Sequence, residues 1–300
     1  MPRPGLIRLL VILPALAAAS SAAPLKVVTL GTVLTEIAGR IGGGATEVTG
    51  LVQPGVDPHT FQPAPHDLET VANADLVLAC GLGMEPYLDR LVANSGTRGR
   101  VVQVGSVFGT DVPTLWEHGR READPHWWNS VPATEKVTRE VDRVLGELRP
   151  VDRTGFDART ARFLARLAAL DRWTRDKLAA IPPDRRVLVT THDAFGWFAR
   201  DYGFRIIPLS GLNPEAEPDA RSFARTIDAI RAAGVPALFV ENSANPRLVA
   251  AVVQATGARL GGTLYGDGLT TDADARSYRE MFRHNVRVIA AGLRPGKVEP

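Results

Sequence analysis

One uninterrupted helical segment constrains the fold of this chain more than any other feature. From Asp157 to Ala180 the sequence contains neither Gly nor Pro. Its apolar residues recur at mostly helical spacing, with Arg and Asp between them, which predicts one helix of about seven turns. The helix must end before Pro182-Pro183, which cannot continue it. A helix of this length between two parts of a chain acts as a stiff connector rather than a loose hinge.

Short apolar runs rich in β-branched residues alternate with helical patterns on both sides of this segment. Four runs precede it and four follow it, at 26–30, 48–52, 76–79, 101–104, 186–190, 205–209, 237–240 and 262–265. Buried strands separated by helices are typical of parallel sheets. The predicted fold class is α/β, with two lobes, each a mainly parallel sheet flanked by helices, joined by one long backbone helix. The predicted boundaries are 24–152 for the first lobe, 153–182 for the linking helix and 183–300 for the second lobe.

Residues 1–23 are predicted to be a signal peptide. Arg3 and Arg8 accompany an apolar run over 9–19, which is too short to span a bilayer as a mature helix. Small residues at 20–23 suit cleavage. No cysteine follows the run, so a lipid anchor on an N-terminal cysteine is not expected. The mature protein is expected to be periplasmic and not itself membrane-spanning.

Charge and cysteine content exclude several classes of function. The chain has 35 Lys and Arg against 33 Asp and Glu, and no basic stripe is visible, so nucleic acid is not an expected partner. Cys80 is the single cysteine. An intrachain disulfide and a thiolate metal cluster are therefore impossible.

Two of the six histidines share a local frame, Asp-Pro-His-x-aromatic. His59 lies in Asp57-Pro58-His59-Thr60-Phe61, and His126 lies in Asp124-Pro125-His126-Trp127-Trp128. Proline restricts its own backbone and that of the preceding residue, so each histidine is presented on a rigid turn. Asp57 and Asp124 are candidates to accept a ring N–H, as carboxylates behind metal-bound histidines do. The alternative is that both are ordinary surface-loop histidines.

His192 and Asp267 each follow a predicted strand of the second lobe. In parallel α/β sheets the ligand site lies beyond the carboxyl ends of the strands. A helix-capping histidine and an Asp-Gly turn are the alternatives. With His59 and His126, these residues would satisfy tetrahedral Zn²⁺ without a thiolate, and would also suit Mn²⁺. Glu241 also ends a strand and is a candidate hydrogen-bonding residue behind the site. The other histidines, His66, His118 and His284, are predicted to be exposed.

A family resemblance rests on five stretches, which occur in the family's order. They are LVQPGVDPHTFQPAPHDLETVANADLVLACGLGMEPYLDRL (51–91), DPHWW (124–128), VLVTTHDAFGWFARDYGF (187–204), LFVENSANPR (238–247) and GTLYGDGL (262–269). Over essentially all of the mature chain, the sequence resembles the zinc- or manganese-binding substrate-binding proteins of ABC transporters.

The resemblance implies a metal held between the lobes by His59, His126, His192 and Asp267. Zn²⁺, or possibly Mn²⁺, would be cargo for the membrane subunits of an ABC permease, and the protein would be a monomer with no enzymatic activity. Zinc members often carry a long His-rich and acidic loop before the second ligand, whereas 115–124 is short here and holds only His118. A histidine at the third ligand position, where manganese members often have glutamate, favours zinc.

The main alternative is an exported zinc-dependent hydrolase. It would need an open coordination position and a nearby general base, for which Asp193 or Glu241 are candidates. The chain has neither His-Glu-x-x-His nor Gly-x-Ser-x-Gly. A siderophore- or haem-binding relative would instead show Arg or Tyr at its cleft. Four closed ligands would favour binding over hydrolysis.

Overall fold

The computed structural model of the chain describes residues 23–117, 120–211, 219–241 and 246–294. The predicted signal peptide, apart from Ala23, and His118 lie outside these residues. Within them, no helix is both long and apolar enough to cross a membrane.

The first lobe is built on a parallel sheet of four strands in the order β2-β1-β3-β4. The strands are β1 (Leu25–Thr29), β2 (Thr46–Gly50), β3 (Leu76–Ala79) and β4 (Arg100–Gln103), and the helices between them are α1 (Thr32–Gly42), α2 (Pro65–Ala72) and α3 (Leu88–Ser95). Every residue of β3 is buried, as expected for an inner strand of a covered parallel sheet.

Two further elements of this lobe were not predicted from the sequence. An antiparallel hairpin is formed by β5 (Thr114–Glu117) and β6 (Arg120–Ala123). Helix α4 (Val131–Leu148) is capped at its N-terminus by Ser130, whose side chain accepts the backbone N–H of Ala133. The hairpin strands have only four residues each, too few for a clear period-two pattern.

The second lobe repeats the architecture with a parallel sheet in the order β10-β9-β7-β8. Its strands are β7 (Val187–Thr190), β8 (Arg205–Pro208), β9 (Ala237–Glu241) and β10 (Arg259–Leu264), and its helices are α6 (Gly196–Tyr202), α7 (Ala220–Ala233), α8 (Pro246–Thr256) and α9 (Tyr278–Leu293). The prediction of two α/β lobes is confirmed.

The long helix between the lobes is α5 (Arg153–Leu178), with 26 residues. It begins four residues before the predicted segment, because Gly155 is accommodated in its first turn, and it ends two residues earlier. Phe156, Phe163 and Leu170 are among its buried residues. The helix packs on α1 and α4 of the first lobe and on α9 of the second. Its buried apolar side chains belong to a hydrophobic cluster that runs through both lobes.

Candidate metal site

Four side chains from four loops converge at the carboxyl ends of strands. His59 lies in the loop after β2, and His126 follows β6 by three residues. His192 follows β7 by two residues, and Asp267 follows β10 by three. One potential ligand atom from each residue lies within 4.8 Å of all the others. The structure thus brings together all four residues that the sequence analysis singled out, two from each lobe.

One carboxylate oxygen of this cluster faces three imidazole nitrogens. Asp267 Oδ1 lies 3.0 Å from Nε2 of His192, 3.3 Å from Nε2 of His59 and 3.7 Å from Nε2 of His126. The Nε2 atoms of His59 and His126 are 3.1 Å apart. Four donor atoms at such distances enclose a space the size of one cation.

The cluster is closed on one side and reaches solvent on the other. The side chains of His126 and His192 are 0% exposed. The side chains of His59 and Asp267 have 12% and 10% of their surface accessible to solvent. A ligand therefore enters past His59 and Asp267, while the two inner imidazoles are fixed by protein contacts.

Asp124 fixes the orientation and tautomer of His126. Its Oδ1 accepts the backbone N–H of His126 at 2.9 Å and the ring Nδ1–H at 2.8 Å. With the proton on Nδ1, the lone pair of Nε2 points into the cluster. Burial lowers the pKa of His126, and the opposing effect of Asp124 is smaller. The ring is consequently neutral, as a metal ligand must be.

Glu241 has the corresponding position behind His192. Its Oε2 lies 2.6 Å from Nδ1 of His192, and its Oε1 accepts the backbone N–H of His192 at 3.1 Å and the Thr191 hydroxyl at 2.9 Å. Burial disfavours the charged imidazole, but Asp267 and Glu241 outweigh it and raise the pKa of His192 well above its usual value. The pKa of Asp267, which burial alone would raise, is lowered by His192 and His59. Without metal, His192 and Asp267 therefore form an ion pair.

Asp57 does not repeat the role of Asp124. Its Oδ1 accepts the backbone N–H of His59 at 2.8 Å, and within the described chain it has no contact with the imidazole ring. The expectation that both aspartates orient rings is therefore wrong for Asp57. Instead, the carboxylate stabilises the turn that carries His59. Aspartate side chains commonly accept the backbone N–H of the second residue after them in such turns.

Trp128 and Asn129 join the His126 loop to the second lobe, and sequence reasoning missed them. The indole N–H of Trp128 donates to the carbonyl of Gly266 at 2.7 Å. The Asn129 amide donates to the same carbonyl and to that of Ala194, both at 2.9 Å. Gly266 directly precedes Asp267, and Ala194 lies two residues after His192. The available signal was position, since Trp128 is the aromatic residue of the repeated frame and Asn129 is the residue after it.

The remaining described histidines lie outside the cluster. His66 is exposed, with 80% of its side-chain surface accessible, as predicted. His284, which was predicted to be exposed, is half-buried, with 21% of its side-chain surface accessible. Its ring packs edge-on against Tyr265, and its Nε2 lies 2.9 Å from the Thr263 carbonyl. The difference arises because α9 packs against β10, which brings part of this side chain against the strand.

Comparison with known proteins identifies the family. Residues 27–292 match the family described as zinc-uptake complex component A, periplasmic (ZnuA). The chain belongs to this family. Its members are solute-binding proteins that work with ABC-transporter permeases, and they are not enzymes. The hydrolase alternative is thereby set aside.

Individual relatives in this family have names that specify different metals. The manganese-binding lipoprotein MntA of Bacillus subtilis is 30% identical over 276 residues, covering 90% of each chain. The zinc-binding protein TroA of Treponema pallidum is 32% identical over 282 residues, covering 92% of this chain and 91% of TroA. The solved structure of the periplasmic zinc-binding TroA superposes with a TM-score of 0.83 at 31% identity, covering 91% of this chain and all of the other.

Proposed function

We propose that this protein captures Zn²⁺ in the periplasm and delivers it to an ABC permease, with His59, His126, His192 and Asp267 as the four ligands. The observation that carries the proposal is the single Asp267 oxygen facing three imidazole nitrogens at 3.0–3.7 Å. Zinc is cargo in this proposal, and no covalent bond is made or broken.

The spacing of the donors supports a tetrahedral ion. Zinc bonds of 2.0–2.1 Å place neighbouring ligand atoms of a regular tetrahedron roughly 3.3 Å apart. The four separations measured to Asp267 and between His59 and His126 lie between 3.0 and 3.7 Å. A cation at the centre would need only small side-chain shifts to bond all four donors.

The chemistry of the donors favours zinc over manganese. Three imidazoles and one carboxylate are a nitrogen-rich set, and nitrogen ligands bind Zn²⁺ more tightly than Mn²⁺ in the Irving–Williams order. Manganese prefers more oxygen ligands. The second oxygen of Asp267 and the carboxylate of Glu241 would be the additional sources, but Oε2 of Glu241 already lies 2.6 Å from Nδ1 of His192.

Cargo release requires the two pairs of ligands to separate. His59 and His126 belong to the first lobe, whereas His192 and Asp267 belong to the second. The hydrogen bonds from Trp128 and Asn129 to Gly266 and Ala194 hold the lobes together beside the metal. We infer that docking on the permease breaks this set of contacts and withdraws at least one ligand loop.

The predicted boundaries accompany this proposal. A signal peptide over 1–23 would direct export, the two lobes would span 24–152 and 183–300, and the helix over 153–182 would join them in a monomer. Mass measurement of the exported protein tests the cleavage site, and light scattering tests the oligomeric state.

Elemental analysis after zinc loading and dialysis tests the ligand assignment. The wild type is expected to retain one zinc per chain. His192→Ala should retain none, because it removes an inner ligand, and His66→Ala should behave like the wild type because His66 is exposed. His284→Ala is not a suitable control, since that ring is packed against Tyr265. Two tight equivalents in the wild type, or equal loss in both variants, would contradict the proposal.

A further inference from the structure

A basic surface lies on the exposed faces of α5 and α9. We define the α5–α9 basic patch by six cationic side chains that line two adjoining grooves, Arg166, Lys177, Arg279, Arg283, Arg287 and Arg294. The grooves have volumes of about 360 and 310 Å³ and meet at Trp173 and Arg283. Neither groove has an Asp or Glu in its lining.

The structure corrects the sequence-based statement that no basic stripe is visible. Three of the arginines recur every fourth residue along α9, at 279, 283 and 287, and therefore share one face of the helix. The rest of the patch comes from α5, more than 100 residues earlier, and from the end of α9. Because the net charge of the whole chain is near zero, it does not reveal this local excess of basic residues.

The six cations of the patch have no acidic partner in the described part of the chain. None of them forms an ion pair or a side-chain hydrogen bond there, whereas most other arginines on the long helices do. Asp171, two residues before Trp173 on α5, is engaged by Arg175 and by Tyr202.

The patch charges also repel one another. Burial lowers the pKa of Arg283, and the neighbouring charges of Arg279 and Arg287 lower it further. Like charges held this close on a folded surface cost free energy, which bound anions would recover. The patch therefore favours the binding of negatively charged groups.

Trp173 gives the patch a rigid centre. Its ring stacks under the guanidinium of Arg283 at 4.4 Å and lies 5.9 Å from that of Arg287. Stacking on the indole leaves the edges of each guanidinium free to donate to oxyanions. Tryptophan is also the residue most suited to the boundary between a bilayer and water, because its ring is apolar and its N–H is polar.

The dimensions of the patch favour an extended partner. From Arg279 to Arg294 the α9 row extends about 22 Å at 1.5 Å per residue, and the α5 row runs beside it. A single small anion would engage only one groove, whereas a layer of phosphate groups would engage both rows. The permeases of this family lie in a membrane, so an anionic lipid surface is available where the protein acts.

We propose that the α5–α9 basic patch docks on the anionic phospholipid headgroups of the membrane. The patch contains none of the four cluster residues, so cargo binding and adsorption can occur together. Adsorption would confine the protein to the surface that holds its permease. The inference goes beyond the proposed zinc function, and it does not depend on which metal is the cargo.

Co-sedimentation with lipid vesicles tests the proposal. The protein is mixed with vesicles of phosphatidylglycerol and phosphatidylcholine, or of phosphatidylcholine alone, at low and high salt. We expect binding to the anionic vesicles only, weakened by salt because screening shortens the range of the charges. Arg283→Gln/Arg287→Gln should weaken binding about thirty-fold, the loss expected for two basic residues near an anionic bilayer.

A matched control removes the same charge elsewhere. Arg98→Gln/Arg225→Gln alters two exposed arginines outside α5 and α9 and should bind vesicles like the wild type. Lys177→Gln/Arg279→Gln changes two exposed patch residues that do not stack on Trp173, and should also weaken binding. Circular dichroism reports whether each variant is folded, and the spectra of all three should match that of the wild type.

Four results would overturn the proposal. The first three are equal binding to both kinds of vesicle, equal loss in the patch and control variants, and abolition of vesicle binding by millimolar inorganic phosphate, which would mean that the patch takes free phosphate. A lack of binding to anionic vesicles at low salt would also overturn it. None of these results depends on the cargo. The zinc proposal would therefore still hold if the patch did not bind lipid.

Discussion

At the scale of single residues, the repeated Asp-Pro-His frame performs two different tasks. Asp124 accepts both the ring N–H and the backbone N–H of His126, and it is buried. Asp57 contacts only the backbone of His59. Identical sequence frames can therefore support a histidine through its ring or through its turn, and only the surrounding packing decides which.

This difference predicts unequal effects of two aspartate substitutions. Asp124→Asn should weaken zinc binding roughly 10–100-fold, as loss of a carboxylate behind a metal-bound histidine usually does. Asp57→Asn should have a much smaller effect, because an asparagine oxygen can also accept the His59 backbone N–H. Zinc titration against a competing chelator measures both. Equal losses would show that Asp57 supports the ring after all.

Glu85 is a buried carboxyl outside the metal site. It accepts the backbone N–H groups of Cys80 and Gly81 at 2.6 and 2.9 Å, and burial raises its pKa to about 7. Because its pKa is raised in the folded state, Glu85 stabilises the fold most below the unfolded pKa near 4.5. This stabilisation is lost as the pH rises to about 7.

We therefore expect the stability advantage of the wild type over Glu85→Gln to shrink between pH 4.5 and 7. The difference in unfolding free energy between the two proteins should fall by at most about 3 kcal/mol, because a change of one in pKa corresponds to about 1.36 kcal/mol. Urea unfolding of both metal-free proteins across this range measures it, and the histidine titrations cancel in the difference. A difference between the two proteins that does not change with pH would contradict the raised pKa.

At the scale of elements, α5 is tied to the first lobe by Arg159. Its guanidinium donates to the carbonyls of Ile41 and Gly42, at the C-terminal end of α1. The last carbonyls of a helix lack partners within the helix and carry partial negative charge. The arginine thus caps α1 and fixes it to α5 in one set of contacts.

Arg159→Ala should lower the free energy of unfolding by about 1–3 kcal/mol. This is the usual cost of removing a charged donor and leaving its two carbonyl acceptors without a hydrogen bond. Arg162→Ala is the control, because Arg162 is exposed on the same helix. It should change stability by no more than about 0.5 kcal/mol. Chemical denaturation compares the two, and similar losses would contradict the capping role of Arg159.

The elements also show what sequence could and could not predict. The long helix and the inner strands, such as β3, were predictable because they are long or uniformly apolar. The β5–β6 hairpin was not, because its four-residue strands are too short to show a period-two pattern. The partial burial of His284 was not, because it depends on contacts with a different part of the chain, at Thr263 and Tyr265. The basic patch was missed for the same reason, because its two rows lie on separate helices. His59, His126, His192 and Asp267 were found together because each stands at a recognisable turn or strand end.

At the scale of the whole molecule, the two lobes are joined by more than the helix. They share one hydrophobic cluster with α5. Near the site, Thr32 of the first lobe accepts the backbone N–H of Leu269 at 2.8 Å, and Glu36 accepts that of Tyr278 at 2.6 Å. These contacts favour a small opening motion over a wide hinge, and they predict that the lobes unfold together.

Zinc should therefore stabilise both lobes in a single thermal transition. A ligand that binds only the folded state stabilises it by about 2.7 kcal/mol at 100 times its dissociation constant. Calorimetry should show one transition that moves to higher temperature with zinc, and no such shift for His192→Ala. Two separate transitions, of which zinc moves only one, would contradict the coupling between the lobes.

The central claim is that three imidazoles and one carboxylate form a closed site for a single Zn²⁺. Competitive titration of the metal-free wild type with Zn²⁺ and Mn²⁺ at one fixed pH tests it most directly. We predict one equivalent of either ion, with Zn²⁺ bound far more tightly and displacing Mn²⁺ completely. Binding of Mn²⁺ as tight as that of Zn²⁺ would contradict the claim, because it would require a more open and oxygen-rich site than these four residues provide.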